Sequence, residues 1–274
     1  MATSKAFFHA RSVSLPSTSH PQDVSTEDHL CRLSAYQASP SSSSISQNLG
    51  EIKDLYEQMN KFIHFPHNKN ALSNEKVEEV LEGSIALLDT SSLALDAVSQ
   101  MKESLLDLKS SLRRGMDGEG VHAYLVSRRR ITKMVSKYIA TLKKANKVSA
   151  SLEHNDTAIR MLKEAENITL SALKSVLSFV IGKKAMSQTG GWSMVAKLVK
   201  SKQAPAKTDE ASEVEDVDRT LSFVSKKHPG VECKVLLRQL EALETIIYEL
   251  ENGLGQISRC LVKTRVSLLN ILNH

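Results

Sequence analysis

At 274 residues the chain is long enough for one large or two small domains, and 41% hydrophobic residues allow a sizeable core. Only 4% of residues are aromatic, and glycine and proline are sparse, so the core is aliphatic and the composition favours helices over a sandwich or barrel. The net charge of +5 comes without the dense basic footprint and interleaved aromatics of a dedicated nucleic-acid binder, so no nucleic-acid partner is expected.

Residues 1–45 read as a disordered, Ser-rich tail that closes on Ser41-Ser42-Ser43-Ser44, too polar to offset the entropy of ordering. The tail has no apolar stretch of the secretory kind; its serines and the lack of an acidic residue before Asp23 give it a plastid-transit composition. Within it, Arg11-Ser12-Val13-Ser14-Leu15-Pro16 fits the pattern Arg-Ser-x-Ser-x-Pro. The arginine suits a basophilic kinase, a phosphate on Ser14 would bond to an Arg cluster, and Pro16 redirects the chain out of a groove. That is the pattern 14-3-3 proteins capture, although Ser-rich tails also produce such matches by chance.

From 46 to 274 the pattern is that of a helical bundle. A first helix is expected over about 46–65, with Leu49, Ile52, Leu55, Tyr56, Met59, Phe62 and Ile63 on one face, stopped by Pro66. Residues 68–72 read as a connection. A long helix follows from a cap near Asn74, with Val77, Leu81, Leu88, Leu95, Val98, Leu105 and Leu112 in one seam. Val80, Leu87, Ala94, Met101 and Leu108 make a second seam beside it, while Ser84, Ser91, Lys102 and Lys109 interrupt the first. The turn Gly115-Met116-Asp117-Gly118-Glu119-Gly120 ends it.

The third helix, about 121–147, has Tyr124, Leu125, Ile131, Val135, Ile139 and Leu142 on one half of its wheel. Arg129, Arg130, Lys133, Lys137 and Lys144 lie on the other, a basic face open to an acidic membrane surface or another acidic partner. The plainer reading is a solvated face, or one turned toward the acidic stretch from Asp209 to Asp218. The fourth helix is capped by Asn155 or Asp156 and stops at Gly182. A short amphipathic piece, Trp192 to Lys200, precedes a flexible acidic linker over about 201–218.

The last helix carries the strongest pattern. Leu236, Leu240, Leu243, Ile247, Leu250, Leu254, Ile257, Leu261, Thr264, Leu268 and Ile271 alternate steps of four and three, a coiled-coil seam with Gly253 and Gly255 in its middle. Burial of that seam alone does not offset the ordering of so long a helix, so it must pack on other helices, on a second copy, or on both.

Cys31, Cys233 and Cys260 are far apart and odd in number, which reads as reduced thiols in a cytoplasmic protein. There is no metal spacing among the histidines, no Gly-rich phosphate loop and no Gly-x-Ser-x-Gly elbow, so neither enzyme activity nor a cofactor is expected.

The opening Phe8-His9-Ala10-Arg11-Ser12-Val13-Ser14-Leu15-Pro16-Ser17 and His20-Pro21 resemble those of a plant family known as domain of unknown function 241, the BYPASS-like proteins. So do Leu81-Glu82-Gly83-Ser84, Leu87-Leu88-Asp89, Leu112-Arg113-Arg114 and Trp192-Ser193-Met194-Val195. The closing Lys263-Thr264-Arg265-Val266-Ser267-Leu268-Leu269-Asn270-Ile271-Leu272-Asn273-His274 is the most specific of these blocks. Cys31 departs from the pattern. The resemblance implies a helical fold with coiled coil and a link to root and shoot development, assigns no catalytic residues, and counts against a plastid address.

The sequence therefore predicts an all-α, elongated helical bundle with long coiled-coil-like helices behind a disordered N-terminal tail. Its expected role is that of a non-enzymatic adaptor that self-associates or docks a partner helix. Peripheral membrane association through the basic helix is the alternative, and the nucleus is a second compartment the reading allows.

Overall fold

The computed structural model describes residues 21–36, 42–72, 76–115, 118–145, 156–182, 212–224 and 230–273. Among them every regular element is a helix: α1 (Pro21–Tyr36), α2 (Ser42–Phe62), α3 (Pro66–Ala71), α4 (Lys76–Arg114), α5 (Gly118–Ala145), α6 (Thr157–Ile181), α7 (Glu213–Val224) and α8 (Gly230–Leu272). The all-α bundle expected from composition and periodicity is the fold.

Three of these helices were not expected: α1, α7 and the short α3, which occupies the stretch read as a connection. The first, α1, lies inside the stretch assigned to the tail. Its Leu30 and Leu33 are buried, and His29 sets Nδ1 3.1 Å from Gln58 Oε1 and Nε2 3.3 Å from Glu51 Oε2, both on α2. Glu27 pairs with Arg160 of α6 at 2.8 Å. A segment this polar folds because Leu30 and Leu33 are buried in docking, while Val24 stays exposed, so tertiary contact, not local pattern, makes the helix.

The second, α7, begins inside the supposed acidic linker. Ser212 Oγ accepts from Glu215 N at 3.4 Å, and Glu213, Glu215 and Asp216 occupy the first turn. Acids there complement the positive end of the helix dipole, so this acidic run starts a helix.

Other boundaries follow local chemistry. Pro66 opens α3 instead of merely stopping α2, because a proline at the first helical positions loses no intrahelical bond. Asn68 is buried and its Nδ2 donates to Phe62 O at 3.0 Å. Gly115, at φ 113°, closes α4 in a conformation that favours glycine. Asp156 caps α6, accepting from Ala158 N at 3.2 Å, and Gly182 ends it at φ 82°. The cap foreseen at Asn74 lies outside the described residues.

Side-chain pairs give the helix directions. Lys102 meets Glu251 and Lys109 meets Glu244, each at 2.6 Å, while Arg265 reaches back to Leu81 O, so α8 runs antiparallel to α4. The lysines that interrupt the apolar seam of α4 are thus its ion-pair contacts to α8. Leu49 touches Gly253, and Thr264 Oγ1 donates to Asn60 Oδ1 at 3.3 Å, so α8 runs parallel to α2. α6 packs against α2 and α4 to complete a four-helix core. Around it, α5 lies on α4 and α6, α1 on α2 and α6, and α7 on α8 and α6. At 43 residues, α8 alone extends about 65 Å.

The closing seam is spent inside the chain. Leu236, Leu240, Leu243, Ile247, Leu250, Leu254, Ile257, Leu261, Leu268 and Ile271 are each no more than 6% exposed, and α8 meets α2, α4 and α7 along its length. No second copy is needed to cover it, which answers whether this ridge closes within one chain or between two.

Candidate functional site

On α5, Tyr124, Arg128, Ile131, Val135, Ile139 and Leu142 are buried. The opposite side leaves Val126, Arg129, Arg130, Lys133 and Lys137 exposed, the basic face expected from the helical wheel. Among the described residues, none of Arg129, Arg130, Lys133 and Lys137 has an ion-pair partner, and the acidic helix α7 does not neutralise them. Lys144 is in α5, but its side chain lies outside the described residues. The same holds for the whole of Arg11, Ser12, Ser14 and Pro16 and for the Trp192 segment.

α7 instead engages the one arginine of the Arg128-Arg129-Arg130 run that points inward. Arg128 Nη2 sits 3.1 Å from Asp218 Oδ2, and its Nη1 donates to Val180 O at 2.5 Å, at the end of α6. The Tyr124 hydroxyl donates to Asp218 Oδ1 at 3.2 Å, and burial pushes it well above the usual phenol range. One buried guanidinium thereby ties α5, α6 and α7 together. Sequence reading gave Arg128 no role, although its spacing from Tyr124 and Ile131 puts it on the apolar side of the helix.

A second polar constellation lies deeper, where α2, α4, α6 and α8 meet. A cavity of about 20 Å³ is lined by Tyr56, Ser84, Glu166 and Thr264 among Val80, Leu87, Leu162, Leu261 and Leu268. Tyr56 Oη accepts from Thr169 Oγ1 at 3.2 Å, and burial holds that phenol above its ordinary range. Arg265 donates to Ser84 Oγ at 2.7 Å and to Leu81 O. The segments Leu81–Ser84 and Thr264–Arg265, far apart in sequence and both part of the resemblance, come together here.

Glu166 is the unusual member. Its side chain is 14% exposed, Oε2 lies 3.3 Å from Lys163 Nζ, and Oε1 has no hydrogen-bond partner among the described residues. Lys163 Nζ also sits 3.3 Å from Glu79 Oε1 and donates to Glu79 O at 3.0 Å. Gly83 makes room for the carboxyl, since a Cβ there would be 2.5 Å from Glu166 Oε2. Burial pushes the Glu166 carboxyl up to about 7, with Lys163 pulling the other way. No periodicity argument singles out Glu166: it is one carboxylate among many in a helical pattern.

Comparison with known proteins adds one match. A model of the family described as Protein BPS1 matches residues 48–271, from the early turns of α2 to the last turn of α8. That is the family to which the resemblance pointed. No curated protein and no solved structure matches the chain.

Proposed function

The chain belongs to the BPS1 family, and from that premise we propose that it is a non-enzymatic interaction protein, a helical platform whose α5 ridge docks an acidic protein surface. The observation that carries this reading is the contrast between charges on one helix. Arg128 is buried and paired, whereas Arg129, Arg130, Lys133 and Lys137 are exposed without ion-pair partners among the described residues. An unneutralised basic stripe steers acidic partners and fixes their register. A cavity of about 130 Å³ beside α1, lined by Arg32, Leu33, Gln47, Asn48 and Glu51, is small beside the several hundred Å³ of ordinary small-molecule sites. The likeness to the family supplies the proposed setting, root and shoot development, and phosphorylation of Ser14 with 14-3-3 capture is its proposed regulatory arm.

The membrane reading is weaker on the same geometry. An interfacial helix must bury its apolar face in lipid, and that face of α5 already packs on α4 and α6. Among the described residues no helix is long and apolar enough to cross a membrane. Four basic side chains at an anionic leaflet offer only about 1 kcal/mol each.

Retention on immobilised acidic peptide, with a neutral peptide as control, tests the proposal. The full chain should be retained at low salt and released as screening shortens to about 8 Å near 0.15 M salt. Arg129→Glu, Arg130→Glu, Lys133→Glu and Lys137→Glu together should abolish retention while moving Tm by less than about 2 °C, because these side chains are exposed and unpaired. Equal retention of variant and parent, or none by the parent, rejects the reading. Flotation with anionic vesicles identifies the alternative: recovery with lipid but not with peptide favours the membrane.

A further inference from the structure

Glu166 is placed where ionisation is poorly served from every side. Lys163, on its own helix, is the nearest cation, but that ammonium lies 3.3 Å from Glu79 as well, so two carboxylates share one charge. From α4, Glu79 adds repulsion. From α2, Tyr56 presents a neutral phenol already engaged by Thr169. From α8, Arg265 directs its guanidinium to Leu81 O and Ser84 Oγ. Oε1 faces this surround with no partner among the described residues, and Gly83 leaves no slack on the α4 side.

We propose that Glu166 is a protonation switch at the four-helix junction: neutral, it lets α4 and α6 close on one another, and ionised, it loosens that contact. The neutral acid can lie against Leu87, Leu162, Leu261 and Leu268 around the cavity with little desolvation penalty. Ionised, the carboxylate already has Lys163 at Oε2 but needs a partner for Oε1, which an outward movement into solvent supplies.

The direction with pH follows from linkage. The folded-state value near 7 lies above the ordinary 4.5, so the native state holds the proton more tightly than the unfolded chain. The stabilisation is complete below the unfolded value, fades as pH rises toward 7, and is absent above it. Between pH 6 and 8 the ionised share of Glu166 runs from roughly a tenth to roughly nine-tenths, one pKa unit being a tenfold ratio. A change of pH across neutrality is thereby converted into a change in the α4–α6 contact.

The test compares the full chain with Glu166→Gln, a neutral isostere, by urea unfolding and amide hydrogen exchange at pH 5.5, 6.5, 7.5 and 8.5. The wild-type urea midpoint should fall from pH 5.5 to about 7 relative to that of the variant and level off above it. Exchange of the N-terminal half of α6, corrected for intrinsic rates, should speed up by about tenfold in the wild type and by less than twofold in the variant. Parallel pH profiles for the two proteins overturn the proposal. If the variant does not fold, the side-chain carboxyl ¹³C shift of Glu166 in the wild type decides: a midpoint between 6 and 8 supports the switch, and one below 5 ends it.

Discussion

Arg128, Arg129 and Arg130 are identical in chemistry and consecutive in sequence, yet they do opposite things. A 100° step per residue puts Arg128 among Tyr124, Ile131 and Val135, where an unpaired guanidinium could not remain. It remains because Asp218 and Val180 O meet it. Truncating Arg128→Ala should therefore cost about 2–3 kcal/mol in urea unfolding, below the cost for a wholly buried pair because Asp218 is 36% exposed. Arg129→Ala, at an exposed position with no ion-pair partner among the described residues, should change stability by less than about 0.5 kcal/mol. Equal effects at the two positions would contradict the buried assignment.

Among the helices, α8 shows how a pattern and its partners divide the information. The two glycines in its middle read alike in sequence, as weak points in the seam. In the structure they differ. A Cβ on Gly253 would come within 3.1 Å of Leu49 Cβ, an atom fixed to the α2 backbone, whereas one on Gly255 would find only Arg259 at 3.8 Å. Gly253 is the price of the close α2–α8 approach, and Gly255 has no such reason. Gly255→Ala should stabilise the protein by about 0.5–1 kcal/mol through helix propensity. Gly253→Ala should lose that gain to overpacking and come out destabilising by about 1 kcal/mol. Thermal or urea unfolding of the two variants, with opposite signs, checks the parallel packing of α2 on α8.

The five long helices were legible because each repeats apolar residues at helical spacing over many turns. α1 and α7 were not, because their signal resides in partners elsewhere: Leu30 and Leu33 need α2 and α6, and Asp218 needs Arg128. Lys102 and Lys109 looked like defects in a seam for the same reason, their counter-charges Glu251 and Glu244 lying in the last helix. The exposed cations of α5 could be read from the wheel alone, whereas the Glu166 junction draws on four separate helices and no local spacing announces it.

At the scale of the whole molecule, the bundle closes by joining its far ends. Asn60 and Thr264, in contact across α2 and α8, are 204 positions apart. Such non-local closure must defeat loop entropy before it gains any burial. A chain ending at Pro229 should therefore fail to reach a folded state and should sediment with aggregates, while the full chain stays in the supernatant under the same expression. A soluble, cooperatively unfolding truncation would mean that α8 is an accessory and not part of the core.

That arrangement also has a consequence in time. A ribosome adds roughly 5–20 residues per second, so α2 leaves the exit tunnel on the order of 10–40 s before the helix that will cover it. Throughout that interval the apolar stripe of nascent α2 is wet, because the helix that packs along it is made about 200 residues later. Until α8 emerges, the nascent chain therefore exposes apolar surface open to aggregation, and a message that stops before α8 leaves that surface uncovered for good.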